Sequence, residues 1–140
     1  VNVAGGIRSP SVEVTEERFP LFIKNHEMRP NSGGDGTWRG GLGGICEIVY
    51  EGTTEARLNT AGDGTINPPS GLFEGMPGLP HTYSIISNGT ERFLKSKEEG
   101  LTLYPGDIIR ALSAGGGGYG PPEDRDPDAR QQDILNGYVT

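Results

Sequence analysis

One cysteine, two histidines, two methionines and one tryptophan in 140 residues leave little material for soft metal sites, redox centres or nucleophilic catalysis. A lone Cys46 forms no internal disulfide and excludes any multi-cysteine zinc site, which points to a reducing compartment, the cytoplasm. No apolar run approaches the roughly 18 residues a membrane helix needs. Val1 to Gly6 has neither the basic region nor the long apolar stretch of a signal peptide, so neither a membrane nor secretion is expected. Positive charge is scarce too. Twelve Lys and Arg against nineteen Asp and Glu give a net charge of −7 and a pI near 4.8, so the phosphate-neutralising surface that nucleic-acid binding needs is missing. There is no HExxH, no GxSxG and no glycine–lysine pair, so no zinc protease site, nucleophile elbow or P-loop can be assembled from local spacing.

Glycine and proline are abundant instead. With 24 Gly and 11 Pro they make up a quarter of the residues, the level at which a non-periodic sequence begins to look like low complexity. Yet 32% of the residues are hydrophobic, and they cluster in short runs such as FPLFI, ICEIVY and YSIIS that a folded domain can bury. One small domain, residues 1–140, fits these numbers. No internal repeat at a fixed period occurs. A cytoplasmic chain beginning with Val1 is more easily a piece of a longer protein than a whole gene product.

The local signals are those of short strands joined by shaped loops. Ser11 to Lys24 alternates apolar and polar residues around Pro20 and reads as two short strands or one kinked edge strand. Pro30 to Gly44 has seven glycines in fifteen residues, right for a tight loop with close backbone approaches. Ile45 to Tyr50 is apolar on both faces, and Glu55 to Thr60 follows a turn as its expected hairpin partner. Ala61 to Pro80 is an irregular connection anchored by Leu72, Phe73 and Met76. Asn88-Gly89 predicts a hairpin between Tyr83 to Ser87 and Glu91 to Leu94, followed by a charged turn from Lys95 to Gly100. Pro105-Gly106-Asp107 separates two further strands, around Leu101 to Leu103 and Ile108 to Leu112. Asp126 as N-cap, Pro127 at the first helical position and Gly137 past the end frame a helix. Its only apolar residues are Ile134 and Leu135, so it needs another surface to dock on. The fold class is therefore mainly β: an antiparallel β-sandwich or barrel-like module with glycine-rich loops and one short C-terminal helix.

The candidate functional residues lie in the glycine loops. Gly115, Gly116, Gly117 and Gly118, followed by Tyr119, lead towards a helix whose start is crowded with Asp124, Asp126 and Asp128, charges that oppose a bound phosphate. A structural or interface loop is the better reading, one in which a backbone passes close to a partner or substrate with no Cβ in the way. The other loop carries Gly33, Gly34, Asp35, Trp38 and Arg39. Arg39 could grip a carboxylate or phosphate, but an ion pair with Asp35 that fixes the loop is preferred. His26 and His81 read as surface histidines, and Cys46 as core packing. Asn88-Gly89-Thr90 matches a glycosylation sequon but reads better as a turn.

Five stretches stand in an order that resembles the C-terminal part of the hydantoinase B / oxoprolinase family: SPSVEVTEERFPL, RPNSGGDGTWRGGLGG, PPSGLFEGMPG, LYPGD and GGGGYGPPEDRDPDARQQDILNGYVT. That family includes the B-type subunits of ATP-dependent N-methylhydantoinases and 5-oxoprolinases and the related large subunits of acetone and acetophenone carboxylases. The resemblance runs over nearly the whole chain. It departs from the usual pattern at Asn31, where Asp is common, at Pro122, and at Thr140, where relatives often continue.

The resemblance implies a division of labour. An A-type partner of actin- or acetate-kinase-like fold binds ATP and phosphorylates a carbonyl oxygen, and the B-type chain handles the activated amide or enol. This chain then carries no cofactor and no metal ligand, with ATP and a divalent metal on other parts of the complex, and is not catalytic alone. Its expected partners are the A-type subunit and the remainder of the B-type chain. Two readings follow: a module that shapes an active site and subunit interface, or a purely structural β module that holds subunits together.

Overall fold

A computed structural model describes residues 10–140. The opening residues, 1–9, lie outside it, and with them the reading of Val1 to Gly6. The described part is mainly β, with helix α1 (Val12–Arg18), strands β1 (Leu21–Arg29), β2 (Gly43–Tyr50), β3 (Ala56–Ala61), β4 (Thr82–Ser87), β5 (Thr90–Leu94), β6 (Lys97–Leu103) and β7 (Ile108–Leu112), and helix α2 (Pro127–Leu135). Five strands form an open antiparallel sheet in the order β1-β2-β7-β4-β5, and β3 and β6 form a second, two-stranded sheet. The arrangement is a sandwich, not a closed barrel. Tyr50, Ile85 and Leu94 of the large sheet and Leu101 and Leu103 of the small one make the buried core, with Leu21, Ala56, Leu58, Tyr83 and Ile109 packed around them.

The Asn88-Gly89 hairpin forms as expected between β4 and β5, with φ of 50° and 77° at its two central residues, the positive values a type I′ turn requires. Gly106, at φ 90°, completes the turn between β6 and β7.

Three local expectations are corrected. Val12–Arg18 is helical, not a strand. Ser11 caps it, its hydroxyl accepting from the Val14 N–H at 3.3 Å, and Glu13, Glu16 and Glu17 favour helix. Val12 and Val14 are exposed, so their alternation was never a burial pattern. Glu16 then accepts from the Ile23 N–H at 2.8 Å and ties the helix to β1. The second correction concerns the expected hairpin of Ile45 to Tyr50 with Glu55 to Thr60. β2 pairs with β1 on one edge and β7 on the other, which leaves it no free edge, and β3 crosses to the second sheet and pairs with β6. That crossing lets Ala56 and Leu58 face the core across the sandwich. Third, the charged turn expected from Lys95 to Gly100 is mostly strand. β6 begins at Lys97, and Gly100 (φ 68°) accommodates the irregularity opposite Leu58 and Thr60, its N–H donating to Asn59 Oδ1 at 2.8 Å.

The other face of the large sheet carries a row of charge. Arg110 donates to Glu47 at 2.6 Å and to Glu91 at 2.9 Å, and Lys24 stands 3.6 Å from Glu47. The hydrogen bond it donates to Glu47 holds the Arg110 guanidinium above its ordinary value. Glu47 is buried, so this ladder satisfies a carboxylate that the apolar flanks of β2 would otherwise strand.

Candidate functional site

The register places the end of β1, the start of β2, the end of β7 and the start of β4 along one end of the large sheet. Three glycine-rich segments leave from there, covering residues 30–42, 62–81 and 113–121. They run against one another and exchange backbone hydrogen bonds. Gly34 N–H donates to Gly116 C=O at 2.9 Å, Gly116 to Gly41 at 2.8 Å, Met76 to Asp35 at 2.7 Å, Gly118 to Met76 at 2.8 Å and Leu72 to Gly118 at 2.9 Å. Tyr119 bridges antiparallel to Trp38 on one side and parallel to Leu72 on the other. Ser32, fully buried, pins the base: its hydroxyl donates to Arg29 C=O at 2.6 Å and accepts from Gly43 N–H at 2.8 Å.

This contact is too close for side chains. A Cβ on Gly115 would stand 1.8 Å from Ser32 O, one on Gly117 2.0 Å from Ser70 O and one on Gly118 2.0 Å from Asp35 O. Gly33 and Gly34 are closed off in the same way by Gly40 and Met76. None of Gly115 to Gly118 has positive φ. The run is glycine because other backbones abut it, not because its own backbone is left-handed.

α2 locks the cluster, through a polar residue instead of Ile134 and Leu135, which stay exposed. Asp126 caps the helix by accepting from Asp128 N–H at 2.9 Å, and the turn buries Asp133, only 7% exposed. Arg39 forks onto Asp133 with Nε and Nη2 at 3.1 and 3.2 Å, and Arg125 donates to the same carboxylate. The preferred pairing of Arg39 with Asp35 is thus overturned. Arg39 also lies 5.5 Å over the Tyr138 ring. The hydrogen bond from Arg39, more than that from Arg125, holds the Asp133 carboxyl below its ordinary range against the opposing effect of burial. Asn31 completes the clasp, its side chain donating to Thr140 Oγ1 at 2.8 Å and accepting from Thr140 N–H at 3.0 Å.

All the residues singled out in the two glycine loops therefore come together, and Asp35 and Arg39 share a cavity of about 100 Å³ with Arg125, Arg130 and Asp133. Sequence reasoning missed Asp133 and Arg125. An apolar count along α2 passes over a buried carboxylate, and the one local signal was Arg125, eight residues before Asp133.

His26 is exposed, as expected. His81 is not a surface histidine. It is half-buried with its ring 4.3 Å from that of Tyr83, and burial, then Arg29, push its pKa down. Cys46 is half-buried on β2, where burial pushes its thiol up, the opposite of what activates a nucleophile. Among the described residues no group of three His, Cys, Asp or Glu side chains is placed to hold a metal ion. No helix among them is long and apolar enough to cross a membrane.

The chain belongs to the hydantoinase B/oxoprolinase family, whose model matches residues 1–122. It is 32% identical over 135 residues to the B component of a putative D-/L-hydantoinase of Pseudomonas sp. (strain NS671), a match that covers 95% of this chain and 22% of that protein. It is 29% identical to the acetophenone carboxylase delta subunit of Aromatoleum aromaticum, covering 95% of this chain and 24% of that one. In three dimensions it is similar to the ATP-dependent caprolactamase of Pseudomonas jessenii, with a TM-score of 0.79 and 25% identity over 94% of this chain and 23% of that chain. The chain thus spans less than a quarter of the length of these relatives.

Proposed function

We propose that residues 1–140 are the C-terminal module of a B-type polypeptide in an ATP-dependent cyclic amide hydrolase of the hydantoinase and 5-oxoprolinase kind. In this reading the glycine cluster is a rigid backbone scaffold that shapes the active site and the subunit interface. The observation that carries it is the interlock itself, with backbone packed on backbone where a single Cβ does not fit. Such a structure positions neighbouring groups to a fraction of an ångström without supplying chemistry of its own. The residues do not fit a nucleotide or its metal. The guanidiniums of Arg39 and Arg125 are engaged by Asp133, and burial pushes the Cys46 thiol up, away from the thiolate a metal would need. ATP and a divalent metal belong in this reading to an A-type subunit and to the rest of the B-type chain, in the cytoplasm.

The match to an acetophenone carboxylase subunit supports a second reading, in which the same scaffold serves ketone carboxylation. One reconstitution separates the two. Alone, the 140-residue chain should neither hydrolyse ATP nor open a cyclic amide, because phosphoryl transfer needs a cradle of donors, a cation and a metal that it does not assemble. Mixed with the A-type subunit and a B-type chain lacking this module, it should restore ATP-dependent opening of hydantoin, 5-oxoproline or a lactam. Bicarbonate-dependent consumption of a ketone instead would select the carboxylase reading. Turnover by the chain alone, or full activity without it, would overturn the assignment.

A further inference from the structure

Leu72, Phe73 and Met76, expected as anchors of the connection from Ala61 to Pro80, are exposed, and backbone hydrogen bonds hold that connection instead. The far tip of the glycine cluster is apolar and open. Trp38 is 70% exposed, Leu72 60%, Phe73 72% and Tyr119 48%. They form one patch. Tyr119 bridges to both Trp38 and Leu72 through the backbone, and its ring lies 5.0 Å from that of Phe73. Single exposed apolar residues are ordinary on a protein surface, but a contiguous aromatic patch on a rigid support marks an interaction site.

The turn that presents Phe73 is strained. Gly75 N–H donates to Leu72 C=O at 3.0 Å, and the two residues between, Phe73 and Glu74, have φ of 49° and 71°. Residues with side chains adopt the left-handed region at a cost that glycine avoids. Among the described residues the Tyr119 ring packs on Phe73, yet that contact leaves the Phe73 side chain mostly in solvent. The exposed remainder of the ring is free to meet a partner outside the module.

We infer that the Trp38–Leu72–Phe73–Tyr119 tip is the surface by which this module seats on the remainder of the B-type polypeptide, with Phe73 as the anchor. This rests on the functional reading above. Three observations choose that occupant. The four side chains carry no charge, so they fit an apolar surface. In the hydantoinase and caprolactamase relatives the matching part is 22% and 23% of the chain, so more than three quarters of the polypeptide lies outside it, tethered and at high effective concentration. A second copy fits poorly, because symmetric pairing would bring together two modules of charge −7 with exposed Glu74 beside each anchor.

The test uses two glycine variants that relieve the same strain. Phe73→Gly removes the anchor, whereas Glu74→Gly leaves it. Both should fold, as circular dichroism will show. In calorimetric titrations against a B-type polypeptide lacking its own copy of this module, Phe73→Gly should bind about 30-fold more weakly or worse, the loss typical of a buried aromatic anchor. Glu74→Gly should stay within about threefold of the parent, and Trp38→Ala should weaken binding by about tenfold. If the parent binds and Phe73→Gly binds equally well, the tip is not the seat, although the functional reading stands. If the parent does not bind, both fall. A parent dimer in sedimentation that Phe73→Gly dissolves, or a loss confined to binding the A-type subunit, would assign the tip to another partner and overturn the proposal.

Discussion

Gly118→Ala should unfold the loop cluster, and Gly41→Ala should not. The added Cβ at position 118 would sit 2.0 Å from Asp35 O and 2.6 Å from Asp35 C, well inside van der Waals contact. The neighbouring backbone is held from both sides, since Asp35 C=O accepts from Met76 N–H and Met76 C=O accepts from Gly118 N–H. Neither strand can retreat without breaking bonds whose partners would be left buried. A loss of more than about 4 kcal/mol in urea-unfolding free energy is expected, the range of severe single substitutions. Gly115→Ala and Gly117→Ala should behave alike, each meeting a carbonyl oxygen, at 1.8 and 2.0 Å. At Gly116 the nearest atom is Gly41 N at 3.1 Å, so its substitution should be milder. Gly41 has nothing within 4 Å of the added atom and no positive φ, and alanine there should be neutral or stabilising by up to about 1 kcal/mol, because it restricts the unfolded chain. Equal effects at positions 118 and 41 would show that the run is mere linker.

Asp133→Asn should detach α2 from the loops. The carboxylate is the common acceptor of Arg39 and Arg125, and an amide can neither neutralise two guanidiniums nor accept the Arg39 fork with both atoms. Removing one partner of a buried charge cluster costs about 3 kcal/mol. The effect should depend on pH. The folded carboxyl is held below its ordinary range, first by the Arg39 hydrogen bond, so its contribution is fully present above the unfolded carboxylate pKa and is lost as pH falls through the lower folded value. Melting temperatures of parent and variant should differ most near neutrality and converge below about pH 4. A gap that persists unchanged into acid would mean that packing, not charge, holds the helix. Asp35→Asn should leave the clamp intact, because Arg39 takes Asp133 as its partner.

Where a signal acts within a few residues, the sequence was legible. Asn88-Gly89 specifies its hairpin because only a few residue types accept two consecutive positive φ angles cheaply. Asp126, Pro127 and Gly137 frame α2 as their capping chemistry demands. The order of five glycine- and proline-rich stretches identified the family that the comparison then showed. The same local logic failed at Val12–Arg18, where period-two alternation over four positions competed with an N-cap and three glutamates, and the cap won.

By itself, then, the sequence determined the mainly β class, the turns, the helix caps and the need for closely approaching backbones in two glycine loops. Tertiary structure alone decided which backbones meet, that β3 leaves its neighbour in sequence for β6, and that Arg39 reaches across 94 residues to Asp133 instead of four to Asp35. The physical reason is range. Turn and cap preferences are set by sterics and hydrogen bonds within one or two residues, whereas strand partners and buried ion pairs are chosen by which arrangement leaves fewest edges and charges unsatisfied once the whole sandwich is closed.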